Sequence, residues 1–154
     1  MKITLLTVGR LGRMPEALLA KDYAERATAS GRSLGLGPVE IVEVEARKPG
    51  KAAEAEVLLP HLKDAYVIAC DEHGAVRPSR DFAAQIGRLR DDGVRRLVFL
   101  IGGADGLDPA ILDAANAKLA FGPQTWPHAL ARAMLAEQVY RAVTIMAGSP
   151  YHRD

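Results

Sequence analysis

Residues 121–154 read FGPQTWPHALARAMLAEQVYRAVTIMAGSPYHRD, and this stretch decides the fold. It opens with a loop in which Gly122 frees the backbone and Pro123 fixes it. Pro127 suits the first turn of a helix, where its missing N–H is no loss, and neither proline nor glycine interrupts the run before Gly148. Leu130, Met134, Val139, Val143 and Met146 recur at helical spacing and predict one buried face, with Met134 and Met146 in the core. Glu137 and Arg141 stand four apart on another face as an ion pair or polar edge. After Gly148 and Pro150 the chain closes with Tyr151, His152, Arg153 and Asp154. Chain ends are usually frayed. Four successive side chains capable of site chemistry predict a placed tail instead.

Working back from there, Leu119 to Phe121 is a minimal strand. Before it, Asp108 caps and Pro109 starts a helix that runs to about Lys118, with Leu107 stapled onto Leu112. Leu97 to Ile101 is the most apolar strand and stops at Gly102 and Gly103. Pro78 to Asp92 is a helix with Ser79 placed to cap it and Phe82, Ile86 and Leu89 on one face. Ala65 to Cys70 is a strand running into a polar turn of Asp71, Glu72, His73 and Gly74, as readily a loop tip as a functional element. Ala52 to Lys63 is helical, kinked or ended by Pro60. Arg47 to Lys51 reads as a mobile basic linker before a phosphate contact. Val39 to Val44 is a strand, and Pro15 to about Ser30 is a helix with Leu18, Leu19, Tyr23 and Ala27 at helical spacing. Arg10 and Arg13 precede it as solvated loop residues, and Lys2 to Val8 is the opening strand.

Strands and helices thus alternate, about five of each, and the strands are apolar throughout. That pattern predicts an α/β fold, a parallel sheet flanked by helices on both faces, in one domain spanning 1–154. At 154 residues, 49% hydrophobic and 25% charged, the chain is long enough for a single core and is neither disordered nor membrane-embedded. No span or secretory leader is legible, so a cytoplasmic protein is expected. One cysteine and four scattered histidines, His61, His73, His128 and His152, form no disulfide framework and no metal-ligand spacing. No metal is expected. A formal charge of +1 argues against a generally nucleic-acid-coating protein but allows a local basic patch completed by a second subunit.

Ligands of parallel sheets bind beyond the carboxyl ends of the strands. Cys70 with Asp71, Gly102 with Gly103, and Phe121 to Trp126 mark three such ends. GGADG is neither the dinucleotide fingerprint nor a phosphate loop, and a tight turn explains the glycine pair as well as a ligand does. The final loop, with the flat Trp126 and a restrained backbone, suits main-chain hydrogen bonds to an adenine better than a phosphate.

IGG at Ile101 to Gly103 followed by Gly106 and Leu107, TWPH at Thr125 to His128, EQVYRA at Glu137 to Ala142 and the terminal PYHRD together resemble the RlmH family of ribosomal RNA methyltransferases, of the SPOUT class. The likeness runs over nearly the whole chain. It implies a C-terminal trefoil knot, a homodimer, S-adenosylmethionine as methyl donor, and methylation of a pseudouridine imide nitrogen in the large-subunit ribosomal RNA of the assembled ribosome. It implies cofactor contacts at Cys70, Gly102, Phe121, Gly122, Pro123, Gln124, Thr125 and Trp126. Relatives often carry leucine at Cys70 and a serine-containing loop at Gly122 and Pro123.

For that chemistry, His152 is the first choice as proton acceptor, because an imidazole titrates near neutrality. Its alternative is a packing or phosphate contact. Arg153 is expected to stabilise the anionic base or hold a phosphate, and Tyr151 to stack on or bond the base. His128 and Arg132, four apart, share a helix face, with a structural role favoured over lining the dimer interface or the RNA groove. The rival readings are a SPOUT enzyme acting on transfer RNA, a nucleotide-binding domain without chemistry, and an unknotted flavodoxin-like domain.

Overall fold

The computed structural model describes residues 1–154. Its elements are β1 (Lys2–Val8), α1 (Pro15–Gly31), β2 (Val39–Val44), α2 (Lys51–Leu58), β3 (Tyr66–Val76), α3 (Ser79–Asp91), β4 (Arg96–Ile101), α4 (Pro109–Ala114), β5 (Ala117–Ala120) and α5 (His128–Met146). The five strands form one sheet in the order β2-β1-β4-β3-β5, and every pairing is parallel. β4 is inserted between β1 and β3, so the two glycine-punctuated ends after β3 and β4 lie side by side.

Strand residues alternate between two cores, as a pleated strand buried on both faces requires. Ile3, Leu5, Leu97, Phe99 and Ile101 join α1, α3 and α5 on one face. Leu6, Val8, Val98 and Leu100 join α2 and the segment leading through α4 on the other. The expected arrangement of helices on both faces is therefore the one observed.

Several local expectations are corrected. The third strand does not end at Cys70; it continues to Val76, with the register slipping between Cys70 and Ala75, both of which face Leu119. Asp71 to Gly74 are the bulged-out residues between them. Gly74 permits this because a Cβ there would lie 2.6 Å from the Leu119 backbone. α4 stops at Ala114, short of Lys118, because Asn116 docks on β3. Its backbone N–H donates to Val67 O at 2.9 Å and its side-chain oxygen accepts from Val67 N–H at 2.8 Å. α2 ends at Leu58, and Pro60 falls in a single 3-10 turn that follows. Ser79 does not cap α3; its hydroxyl donates to Gln138 Oε1 at 2.8 Å. Asp108 does cap α4, accepting from Ala110 N–H at 2.9 Å.

The largest correction concerns which faces are buried. In α1 the core stripe is Ala20, Ala24, Ala27 and Gly31, and Leu18 and Leu19 are 57% and 47% exposed. In α5 the buried residues include Leu135, Ala136, Val139, Ala142 and Val143, while Leu130 is exposed and Met134 and Met146 are half-buried. Small side chains let α1 and α5 pack closely, and this leaves the leucines pointing outward.

Candidate functional site

A cleft of about 750 Å³ opens beyond the carboxyl ends of β3 and β4 and along the loop after β5. Cys70, Gly102, Phe121, Gly122, Gln124, Thr125 and Trp126 all line it. Pro123, the eighth expected contact, is exposed and stands outside the lining set. The loop is closed on itself by Trp126, whose indole N–H donates to Phe121 O at 3.1 Å. Cys70 is set back in the wall, and burial pushes its thiol up to about 12, so it presents a neutral apolar surface and no thiolate.

The glycine pair answers a packing demand. A Cβ on Gly102 would meet the Gly106 carbonyl group at 2.8 Å and Leu107 at 3.0 Å. A Cβ on Gly103 would stand 2.7 Å and 3.2 Å from the two carboxylate oxygens of Glu54. Gly102 is thus needed by the backbone packing itself, whereas a side chain at Gly103 would displace only the Glu54 carboxylate.

Charge on the cleft is divided. Asp71, Glu72 and Asp105 put carboxylates on its wall, and Lys51 from the first turn of α2 adds a cation. His128 lines the cleft at the start of α5, but Arg132, one turn on, is 2% exposed. Arg132 donates to Glu43 Oε2 at 2.6 Å and to Gly9 O at 3.0 Å, and the same Glu43 oxygen accepts from Leu11 N–H at 2.9 Å. Burial works against the Glu43 carboxylate, yet the hydrogen bonds from Arg132 and Leu11 hold it below the ordinary glutamate range. The clamp fixes the loop after β1 onto α5, the structural role favoured for Arg132.

The tail residues are elsewhere. Tyr151, His152 and Arg153 are absent from the walls of this cleft. Tyr151 donates to Glu137 Oε1 at 2.9 Å and packs edge-on against Tyr140, with ring centres 4.7 Å apart. Glu137 Oε1 also accepts from Arg141 at 2.6 Å and 3.0 Å, so the expected ion pair is present. Arg141 Nη1 lies 3.1 Å from His152 Nδ1, and His152 Nε2 lies 3.0 Å from Asp154 Oδ1. A guanidinium only donates, so Nδ1 is the acceptor and the ring proton is on Nε2. Asp154 is held in turn by Arg80 of α3, at 2.7 Å from Nε and with a second bond from Nη2. These bonds hold the Asp154 carboxyl at about 2. Burial and the bond to Glu137 raise the Tyr151 phenol, which remains a neutral donor. Arg153 is exposed.

Beside the tail, a second depression of about 510 Å³ runs between α1 and α5, walled by Leu19, Tyr23, Val76, Phe121, Leu130 and Met134. It shares Phe121 and Gly122 with the first cleft, so the two depressions adjoin across the loop after β5. Sequence reasoning missed Arg80, Glu54 and this groove. Nothing in the local pattern around Arg80 or Glu54 marks them. The groove was legible only as apolar residues assigned to the core.

Residues 1–152 match the family model described as "Predicted SPOUT methyltransferase". The chain is 85% identical to the ribosomal RNA large subunit methyltransferase H of Caulobacter sp. (strain K31), over the whole of both chains. It is 77% identical, again over both whole chains, to the protein of the same name from Phenylobacterium zucineum (strain HLK1). In fold it is similar to a probable methyltransferase from Bordetella pertussis Tohama I, with TM-score 0.57, 17% identity, and 92% of this chain and 96% of that one covered.

Proposed function

Because the chain belongs to the SPOUT methyltransferases and, within them, to the family of ribosomal RNA large subunit methyltransferase H, we propose that it methylates N3 of pseudouridine 1915 in the large-subunit ribosomal RNA of the assembled ribosome, using S-adenosylmethionine. The observation that supports this most is the convergence of Cys70, Gly102 and the Phe121–Trp126 loop on one cleft, although they come from three separate strand ends. The donor set suits such a ligand. Loop amides and the apolar wall at Cys70 fit an adenosine moiety, Lys51 fits a carboxylate, and Asp71, Glu72 and Asp105 fit cationic groups. Bound there, S-adenosylmethionine supplies an electrophilic methyl group on a sulfonium for in-line displacement. The trefoil knot that the class implies would tie this loop to the sheet.

The remaining chemistry falls to the tail. His152 accepts the proton that leaves N3, Arg153 stabilises the negative oxygens of the base, and Tyr151 offers a ring to stack on it. In the resting arrangement Arg141 already engages the one lone pair of His152, so proton acceptance at Nδ1 requires the incoming base to displace that N–H. Tyr151 to Arg153 do not line the cleft of their own chain, and the apolar groove adjoins it. We therefore place the tail of one subunit against the cleft of a second, in a homodimer that covers Leu18, Leu19 and Leu130. A shared site also answers the small charge of +1, since two chains together present more RNA-binding surface than one. The setting is the cytoplasm, where ribosomes are.

The test is to incubate the protein with labelled methyl donor and ribosomes lacking the modification, then analyse the nucleosides by mass. Label on N3 of that one pseudouridine is expected. Label on transfer RNA, or on no RNA, overturns the reading.

A further inference from the structure

We propose that Glu54 is an additional cofactor-binding residue, whose carboxylate accepts a hydrogen bond from the ribose hydroxyls of the methyl donor; this rests on the reading of the cleft just given. Glu54 lies in the first turn of α2, three residues after Lys51, which lines the cleft, and so shares a helix face with it. Its carboxylate packs against Gly103, in the cleft wall, with its oxygens 2.7 Å and 3.2 Å from where a Cβ would stand. Gly103 is the residue that gives this carboxylate room. Glu54 Oε2 is shut off from solvent and has no hydrogen-bond partner in the protein.

A buried acceptor without a donor is costly, and such a group in a native protein calls for a partner that arrives from outside. The donor at hand is a nucleoside in the cleft. Of its hydrogen-bonding groups, the ammonium has better partners in Asp71, Glu72 and Asp105, on the cleft wall. An ammonium brought to the shut-off oxygen Oε2 would have to shed its water there, whereas a hydroxyl is neutral and loses less. A pair of ribose hydroxyls beside a carboxylate is also the arrangement by which dinucleotide-binding sheets hold their ribose. The adenine loop after β5 and the Gly103 end of β4 are separated by one strand, β3, about 10 Å in all. A nucleoside spans that width.

The test measures binding and stability, not turnover. Dissociation constants of S-adenosylmethionine and of methylthioadenosine, which keeps the ribose and lacks the ammonium, are determined by calorimetry for the wild-type chain, Glu54→Gln and Glu54→Ala. Thermal unfolding of each ligand-free protein is recorded alongside. We expect both ligands to bind Glu54→Ala about tenfold or more weakly, Glu54→Gln to fall between, and the ligand-free melting temperature to stay level or rise, since an unpartnered carboxylate is gone. Affinities within twofold of wild type with a lowered melting temperature would make Glu54 a structural residue and overturn the inference. A loss confined to S-adenosylmethionine would assign Glu54 to a cationic group of the donor, its ammonium or its sulfonium, and overturn the ribose contact. A wild-type chain that binds neither ligand would instead overturn the reading of the cleft itself.

Discussion

The cleft and the tail are built in opposite ways. Around the cleft, polar groups are left open: Asp71, Glu72, Asp105 and Lys51 face it, and Glu54 keeps an oxygen with no partner at all. In the tail nearly every polar group is engaged by its own chain, from Arg80 through Asp154 and His152 to Arg141, Glu137 and Tyr151. An open set of groups is suited to receiving a ligand. A closed set is suited to holding a shape, and the tail holds Tyr151 and His152 largely buried with Arg153 exposed beside them. On the proposed function the two regions would divide the work into binding and presentation, and the adjoining apolar groove would be where a second chain brings them together.

The sharpest way to break this division is to disable one region and ask about the other. His152→Ala should lower turnover by about 10²- to 10⁴-fold, the usual worth of a positioned proton acceptor, and leave donor affinity unchanged. Thr125→Trp, at an exposed cleft residue, should abolish donor binding and leave the tail network in place. Mixed in equal amounts after exchange of subunits, the two inactive chains should recover about a quarter of wild-type activity, because half the dimers are hybrids with one intact shared site. No recovery would mean that each tail serves the cleft of its own chain.

A smaller effect tests what frames the cleft. Arg132→Met removes one partner of a buried pair and leaves Glu43 without its counter-charge, which costs about 3–5 kcal/mol where both partners are enclosed. Glu43 keeps a third of its side chain in water, so a loss near 3 kcal/mol is expected by urea unfolding. Its pH dependence has a defined sign. The Glu43 carboxyl is held below its ordinary value, so the contribution is complete above 4.5 and declines as the pH falls through the lowered value. The Arg132→Met protein should lose that part of its acid sensitivity.

The sheet could be read from sequence because apolar strands between glycines leave few alternatives, and β1 and β2 fall on the residues expected. The helix faces could be read only in part: Phe82, Ile86 and Leu89 of α3 and Val139 and Val143 of α5 are buried as expected, and the leucines at the outer edge of the stripes are not. Leu18, Leu19 and Leu130 have the spacing of a core stripe, and periodicity does not say whether a stripe faces its own sheet or another molecule. Ala20 and Ala24 carry little hydrophobic signal and yet are buried with Ala27, which was expected, in the core that α5 joins, because close approach of two helices favours small side chains. The loop after β5 was legible as one wall of the cleft because its residues are contiguous. The partners of the tail were not, since Arg80 lies 74 residues from Asp154. Leu19→Glu sharpens the point. It should shift the protein from dimer to monomer in sedimentation and leave the melting temperature of the fold within a few degrees, because the side chain is 47% exposed in the single chain. A dimer unaffected by this charge would locate the contact elsewhere.

The smallest effect concerns the latch that closes the tail. Arg80 and His152 hold the Asp154 carboxyl at about 2, below its ordinary 3.8. A carboxyl with a depressed value stabilises the folded arrangement above the ordinary value and loses that contribution as the pH falls through the depressed one. The Arg80–Asp154 pair should therefore keep its contribution above 3.8 and lose it as the pH falls from there to about 2. Both partners are exposed, so global stability should hardly register the change. Local observables should: the ring resonances of His152 in wild type ought to move in that acid window and, in Arg80→Gln, at higher pH. If the tail stays ordered in Arg80→Gln, the nest of Glu137, Arg141 and Tyr140 is sufficient by itself, and presentation depends on α5 alone. If it loosens and turnover falls while donor affinity holds, the binding region and the presenting region are separable down to a single exposed ion pair.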